Sequence, residues 1–183
     1  MAPLIAHLAA TVLAVTFVGC ALPTAGQRVP DPLDVDVSQL PTPHAVVDAM
    51  LRLAGVGAGD VLYDLGAGDG RIVIAAARSY GIRAVGIELD ARKAAEARAN
   101  VERAGLAGRV EIRHGDAFDA DLREASVVTL FLFPEINERL APKLRAELRP
   151  GARIVSHRFG LGDWPPERRV EVHRHPLMLW ILR

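Results

Sequence analysis

At 183 residues the chain has room for one domain, and with 50% of its residues hydrophobic it can fill a full core. Its 22 basic and 22 acidic side chains cancel and no Lys/Arg cluster occurs, which argues against nucleic-acid binding by bulk electrostatics. The single cysteine, Cys20, excludes an internal disulfide.

Met1–Gln27 carries no charged side chain, and Leu4–Leu22 is apolar apart from His7, Thr11 and Thr16. That length suits a signal-peptide core or a short membrane-spanning helix. Phe17-Val18-Gly19-Cys20 is a loose lipoprotein box, but no Lys or Arg precedes the run. The first basic residue, Arg28, follows it, a placement that keeps the following domain in the cytoplasm. Residues 1–27 are therefore expected to be a signal peptide or membrane anchor, with the domain facing the cytoplasm and an exported or lipidated form as the alternative. Arg28–Pro41, rich in Pro and Asp, reads as a linker, leaving 42–183 as the folded domain.

Thr42-Pro43 marks a helix start, Thr as cap and Pro in the first turn. Val46, Val47, Met50, Leu51 and Ala54 form its apolar stripe, which Gly55 stops. Val61, Leu62, Tyr63 and Leu65 then read as a strand covered on both faces. Gly66, Gly68 and Gly70 occupy every second position, and Ile72, Val73 and Ile74 open a helix that Gly81 ends. A strand, a glycine turn and a helix start with unpaired N–H groups make a nucleotide cradle. Its G-x-G-x-G spacing differs from the dinucleotide G-x-G-x-x-G, and no G-x-x-x-x-G-K-[ST] occurs. Asp64 and Asp69 put carboxylates into the turn, where they repel a pyrophosphate and suit a cationic ligand.

Ala84–Leu89 is a second buried strand ending in Glu88, whose two oxygens suit the hydroxyls of a ribose. Asp90 caps the helix Ala91–Ala104, which stops at Gly105. Val110–Asp116 alternates as a third strand. Ser126–Phe133 is the most apolar internal run and belongs at the sheet centre, with Pro134-Glu135-Ile136-Asn137 at its ligand-facing end. Ile136, Leu140, Leu144 and Leu148 mark a helix in which Pro142 predicts a kink or a fresh start. Arg153–Phe159 is a fifth strand. Gly160–Pro166 reads as a loop on the same edge, where Trp164 either lines or closes a pocket or packs under the loop. Val170–His175 and Leu177–Leu182 read as a terminal hairpin turning at Pro176, too close to the fifth strand for a crossover helix. His173 and His175 share one face of that hairpin; His-x-His on an edge strand is commonly a surface feature, and with His157 it predicts no metal site.

The block Asp64-Leu65-Gly66-Ala67-Gly68-Asp69-Gly70 resembles motif I of the class I S-adenosylmethionine (SAM)-dependent methyltransferases. Gly115-Asp116-Ala117-Phe118 resembles their motif in which the acid accepts the adenine amino group, while a helix N-cap is the other use of Asp116. Within that class, Thr42–Arg183 is similar to the small membrane-associated protein-lysine methyltransferases, which include mitochondrial enzymes acting on the ATP synthase c-subunit and on the adenine nucleotide carrier. Pro41-Thr42-Pro43, Gly86-Ile87-Glu88, Val127–Pro134, Pro142-Lys143-Leu144, Arg158-Phe159 and Trp164-Pro165 carry this narrower likeness. The apolar N-terminal segment departs from the family in looking like a bacterial signal or lipoprotein leader.

The resemblance implies a Rossmann-like, seven-stranded, mostly parallel α/β sheet with helices on both faces and a C-terminal antiparallel hairpin. It implies SAM held by Asp64, Gly66, Ala67, Gly68, Gly70, Glu88, Leu89, Asp116 and Ala117, and a protein lysine as methyl acceptor. Glu135 is the candidate for orienting that amine and Asn137 for accepting a hydrogen bond beside it; both also suit the first turn of a helix. Methylation of a small molecule or lipid near the membrane, and SAM binding without turnover, stay open as alternatives.

Overall fold

The computed structural model describes residues 41–183, so the expected anchor, 1–27, and the expected linker, 28–41, apart from Pro41, lie outside the described residues. The elements are α1 (His44–Leu53), β1 (Val61–Leu65), α2 (Arg71–Tyr80), β2 (Arg83–Glu88), α3 (Ala91–Arg103), β3 (Val110–His114), β4 (Val127–Leu130), α4 (Pro134–Glu147), β5 (Arg153–His157), β6 (Arg168–Val172) and β7 (His175–Ile181). They form the expected seven-stranded sheet, in the order β3-β2-β1-β4-β5-β7-β6. All pairs from β3 across to β5 are parallel, and β7 runs against both of its neighbours.

Strand alternation divides the core into two layers. Leu62, Ala84, Val110, Val127 and Val155 face α1, α2 and α3, with Val47, Met50, Val73, Ala76 and Ala97 packed over them. Tyr63, Leu65, Val85, Val128, Leu130 and Ile154 face α4 through Leu140 and Leu144. Both leucines are fully buried, each worth about 1.5–3 kcal/mol of hydrophobic stabilisation. Strand order reverses between β1 and β4, which opens a crevice at the C-terminal ends of these strands.

Three local readings are corrected, and two that the sequence leaves open, at Pro142 and Trp164, are narrowed. Thr42 does not cap α1: Pro43 holds the N-cap position in an extended conformation, and the Thr42 hydroxyl turns to His157 Nδ1 at 3.3 Å. Helix α4 runs through Pro142 without a fresh start. Pro142 lies on the exposed side, so the Glu138 carbonyl that loses its N–H partner faces water.

The hairpin turns at His173-Arg174 and not at Pro176, which pairs with Glu171 inside β7. Pro176 is tolerated because it stands one residue beyond the β5 register, which ends at His157↔Leu177. His173 therefore sits in the turn and does not share a strand face with His175.

Trp164 does not reach the crevice. Because β6 runs in the direction of β5, the loop between them must travel the length of the sheet. It does so without a helix, as the short spacing predicts. Trp164 packs over Trp180, ring centroids 6.4 Å apart, with the Arg145 guanidinium 4.2 Å from its own centroid.

The two-residue turn has positive φ at both positions, 50° at His173 and 67° at Arg174. Hairpin turns of this kind favour Asn-Gly, because a Cβ there strains the left-handed conformation. Arg174→Gly is expected to stabilise the fold by about 0.5–1 kcal/mol, the strain relief outweighing the added chain entropy. A urea titration reads this as a higher midpoint at unchanged slope.

Candidate active site

The crevice is a cavity of about 710 Å³, within the range of small-molecule sites. Its floor is the β1–α2 turn. Gly68 has a φ of +55°, and a Cβ built there meets nothing within 4 Å, so the bare backbone faces open space. A ligand can approach that backbone closely, which is the use of glycine in such turns. Gly66, with a φ of +85°, instead packs under Leu132, whose Cδ2 would lie 2.6 Å from an added Cβ.

Glu88, at the end of β2, holds the turn in place. One carboxylate oxygen accepts the Gly68 N–H at 2.7 Å and the other accepts the Asp90 N–H at 2.9 Å. Each oxygen retains a second lone pair for a hydroxyl donor. Asp90 in turn caps α3 by accepting the N–H groups of Arg92 and Lys93. On the other side Asp69 pairs with Arg71 at 2.5 Å, and Arg71 Nη1 donates to the Thr42 carbonyl at 2.9 Å. The segment entering α1 is thereby tied to the glycine turn.

Asp64 is the electrostatic centre of the cavity. It is buried, and Thr129 Oγ1 donates to its Oδ1 at 2.7 Å. Desolvation pushes its carboxyl up to about 7; the Thr129 hydrogen bond opposes this, and the charges of Glu88 and Asp69 add to it. A folded-state pKa above the ordinary carboxylate value contributes stability at low pH that is lost as pH rises through about 7. A cation placed beside Asp64 removes this penalty by stabilising the ionised form.

The structure brings Asp64, Gly66, Ala67, Gly68, Glu88, Leu89, Asp116 and Ala117 together in the cavity wall. Asp116 Oδ1 accepts the Phe118 N–H at 2.9 Å, and no helix follows it. Gly70 stands behind the wall, as the left-handed N-cap of α2 against Ala97. Glu135 is exposed in the first turn of α4 and Asn137 is fully buried; neither lines the cavity. The Asn137 amide donates to Ser156 Oγ and to the Phe159 carbonyl, both at 3.4 Å, holding α4 to the end of β5.

Sequence reasoning missed Thr42, Phe131, Leu132 and Arg139 as wall residues, whereas Ile136, expected at the ligand-facing end, lines the wall. A signal was present for two of them. The apolar run Ser126–Phe133 is twice the length of β4, Val127–Leu130, and the surplus supplies Phe131 and Leu132 to the crevice.

Residues 64–168, from the buried acid through the glycine turn to the start of β6, match the ANTKMT methyltransferase domain family. The chain belongs to this family. It is a SAM-dependent methyltransferase, and the cavity fits that cosubstrate: a buried acid suits a cation, spare Glu88 lone pairs suit hydroxyls, and open glycine backbone suits close contact. A protein-lysine N-methyltransferase of Saccharolobus islandicus is 44% identical over 151 residues, 80% of this chain and 94% of that protein. The adenine nucleotide translocase lysine N-methyltransferase of Mus musculus is 43% identical over 106 residues, and the match spans 46% of its length. A crystal structure described as an RNA methyltransferase of Salinibacter ruber in complex with S-adenosyl-L-homocysteine is 52% identical, with a TM-score of 0.77 over 78% of this chain and 94% of that one.

Cosubstrate binding is expected to release a proton near neutral pH, because a bound cation draws Asp64 into its ionised form. Calorimetry in buffers of different ionisation heat is expected to detect this release at about pH 6 and to lose it by about pH 8.5. Asp64→Asn is expected to abolish the release and to weaken binding roughly 10- to 100-fold, the loss of a charge-assisted hydrogen bond.

Proposed function

We propose that the chain transfers the methyl group of SAM to the side-chain amine of a protein lysine. The observation that carries this reading is the 44% identity that extends over 94% of the Saccharolobus protein-lysine N-methyltransferase. The form of the site agrees. Among the described residues two of the connections at the cavity edge are short, Phe131–Phe133 after β4 and Leu89-Asp90 after β2, leaving room for an acceptor to arrive as an extended side chain. Leu89 is 67% exposed at the rim.

In this assignment Asp64 faces the cationic part of the cosubstrate, Gly66, Ala67 and Gly68 present backbone to it, and Glu88 accepts from the ribose. Asp116 accepts from the adenine, with Leu89 and Ala117 against the ring, while Gly70 supports the turn from behind. SAM supplies a methyl group already activated by the positive sulfonium, so the protein has to align the acceptor, exclude water and remove a proton from the amine. Glu135, exposed beside the wall residue Ile136, orients the incoming ammonium at the mouth. Asn137 serves the site by fixing the β5–β6 loop.

The Salinibacter structure favours RNA as the second acceptor to consider. The equal number of basic and acidic residues speaks for a protein. Tritium-labelled SAM incubated with a bacterial membrane extract separates the readings. Label recovered as methyl-lysine after protein hydrolysis is the expected result, whereas label removed by ribonuclease or extracted with lipid overturns it. In the same assay Glu135→Gln is expected to raise the acceptor KM about 2- to 5-fold, the scale of an exposed charge pair.

The apolar segment Leu4–Leu22 followed by Arg28 supports membrane attachment with the catalytic domain on the cytoplasmic side. Protease added to intact spheroplasts is expected to leave the domain uncut until the membrane is permeabilised; digestion from outside rejects this placement.

A further inference from the structure

Behind the cavity wall runs a chain of hydrogen bonds that cosubstrate binding does not use. Thr42, in the wall, bonds through Oγ1 to His157 Nδ1 at 3.3 Å. His157 Nε2 bonds to His175 Nδ1 at 2.8 Å, across the junction of β5 and β7. The ring of Phe131, another wall residue, lies 4.0 Å centroid to centroid from the His157 ring and shields it. His157 is 1% exposed, whereas His175 is partly open at the start of β7. The line therefore begins at the cavity, passes through the core and ends at the surface.

We infer that Thr42, His157 and His175 form a relay that carries away the proton an acceptor ammonium must lose before it can attack. This rests on the reading of the acceptor as a lysine amine. In the step, an N–H bond of the ammonium breaks as a new O–H bond forms on Thr42. The former Thr42 hydroxyl proton passes to His157 Nδ1, the proton on His157 Nε2 passes to His175 Nδ1, and the proton on His175 Nε2 leaves to water. The amine is left neutral with its lone pair free, the positive charge ends in solvent, and both imidazoles are neutral before and after. Between turnovers His175 Nε2 takes a proton from water, the protons on the two Nδ1 atoms step back along the same bonds, and Thr42 gives one proton to water in the open cavity, which restores both tautomers.

Such a relay needs imidazoles that stay neutral, since a protonated ring has no lone pair with which to accept. Burial, then the neighbouring His175 and Arg158, push His157 down to about 3. Burial, Arg158 and His173 also lower His175. Around the pair, Thr42 and Phe131 contribute no charge, and Arg71, paired with Asp69, meets Thr42 at its carbonyl and not at its hydroxyl. A lysine amine is protonated to all but roughly one part in a thousand at neutral pH, so a path for its proton has a large effect on rate.

The test is the pH dependence of methyl transfer from tritium-labelled SAM into the protein band that takes label from the wild-type enzyme. His157→Gln and His175→Gln are expected to lower the rate about 10- to 100-fold near pH 7.5, and the deficit is expected to shrink to within about threefold by about pH 9.5, where the acceptor loses its proton unaided. For His175→Gln, at the open end of the line, calorimetric SAM affinity is expected to be unchanged. A loss that is constant across pH, or no loss in His175→Gln, overturns the relay. Absence of any labelled protein with the wild-type enzyme overturns instead the lysine reading on which it rests.

Discussion

The site depends on a single carboxylate. Glu88 reaches from the end of β2 to the backbone N–H groups of Gly68 and Asp90, clasping the glycine turn after β1 to the turn that starts α3. Without an acceptor those N–H groups would be half-buried and unsatisfied, at a cost of about 1–3 kcal/mol each. The two turns are joined through that one side chain, so their spacing is set by its length. The same oxygens keep lone pairs for a ligand, which makes the group that builds the site also a group that binds in it.

Charge is arranged in two zones around that clasp. On the cavity side, burial raises the Asp64 carboxyl, the nearby charges of Glu88 and Asp69 add to this, and a cationic guest favours the ionised form. Behind the wall, His157 and His175 are kept uncharged by burial and by Arg158. Phe131 separates the zones, lining the cavity while its ring covers His157. The boundary is an aromatic residue left over where β4 ends and the apolar run does not.

How far the sequence disclosed this can be judged residue by residue. The glycine turn, Glu88 and the apolar stripes were legible because they follow from local chemistry: positive φ, strand alternation and helical spacing. The seven-stranded, mostly parallel sheet with its antiparallel hairpin follows from the family resemblance and is observed, while the strand order is a result of the structure. The use of Thr42 was not legible. Its hydroxyl looked committed to a helix cap, and the partner that takes it, His157, lies 115 positions away. The hairpin turn is hidden in the sequence because Pro176 is the stronger breaker, whereas His173-Arg174 adopts the left-handed turn without glycine. Trp164 stood in a loop that begins at the cavity edge, and only the direction of β6 carries it away.

That direction has one more effect. Since β7 descends between two ascending neighbours, Ile181 lies level with Arg153, at the foot of the sheet and remote from the mouth at its crown. Pro41 and Thr42, by contrast, stand in the cavity wall itself. A fluorophore or immobilisation tether attached beyond the final strand leaves the mouth open to bulk solvent, while one attached just ahead of the first helix crowds it.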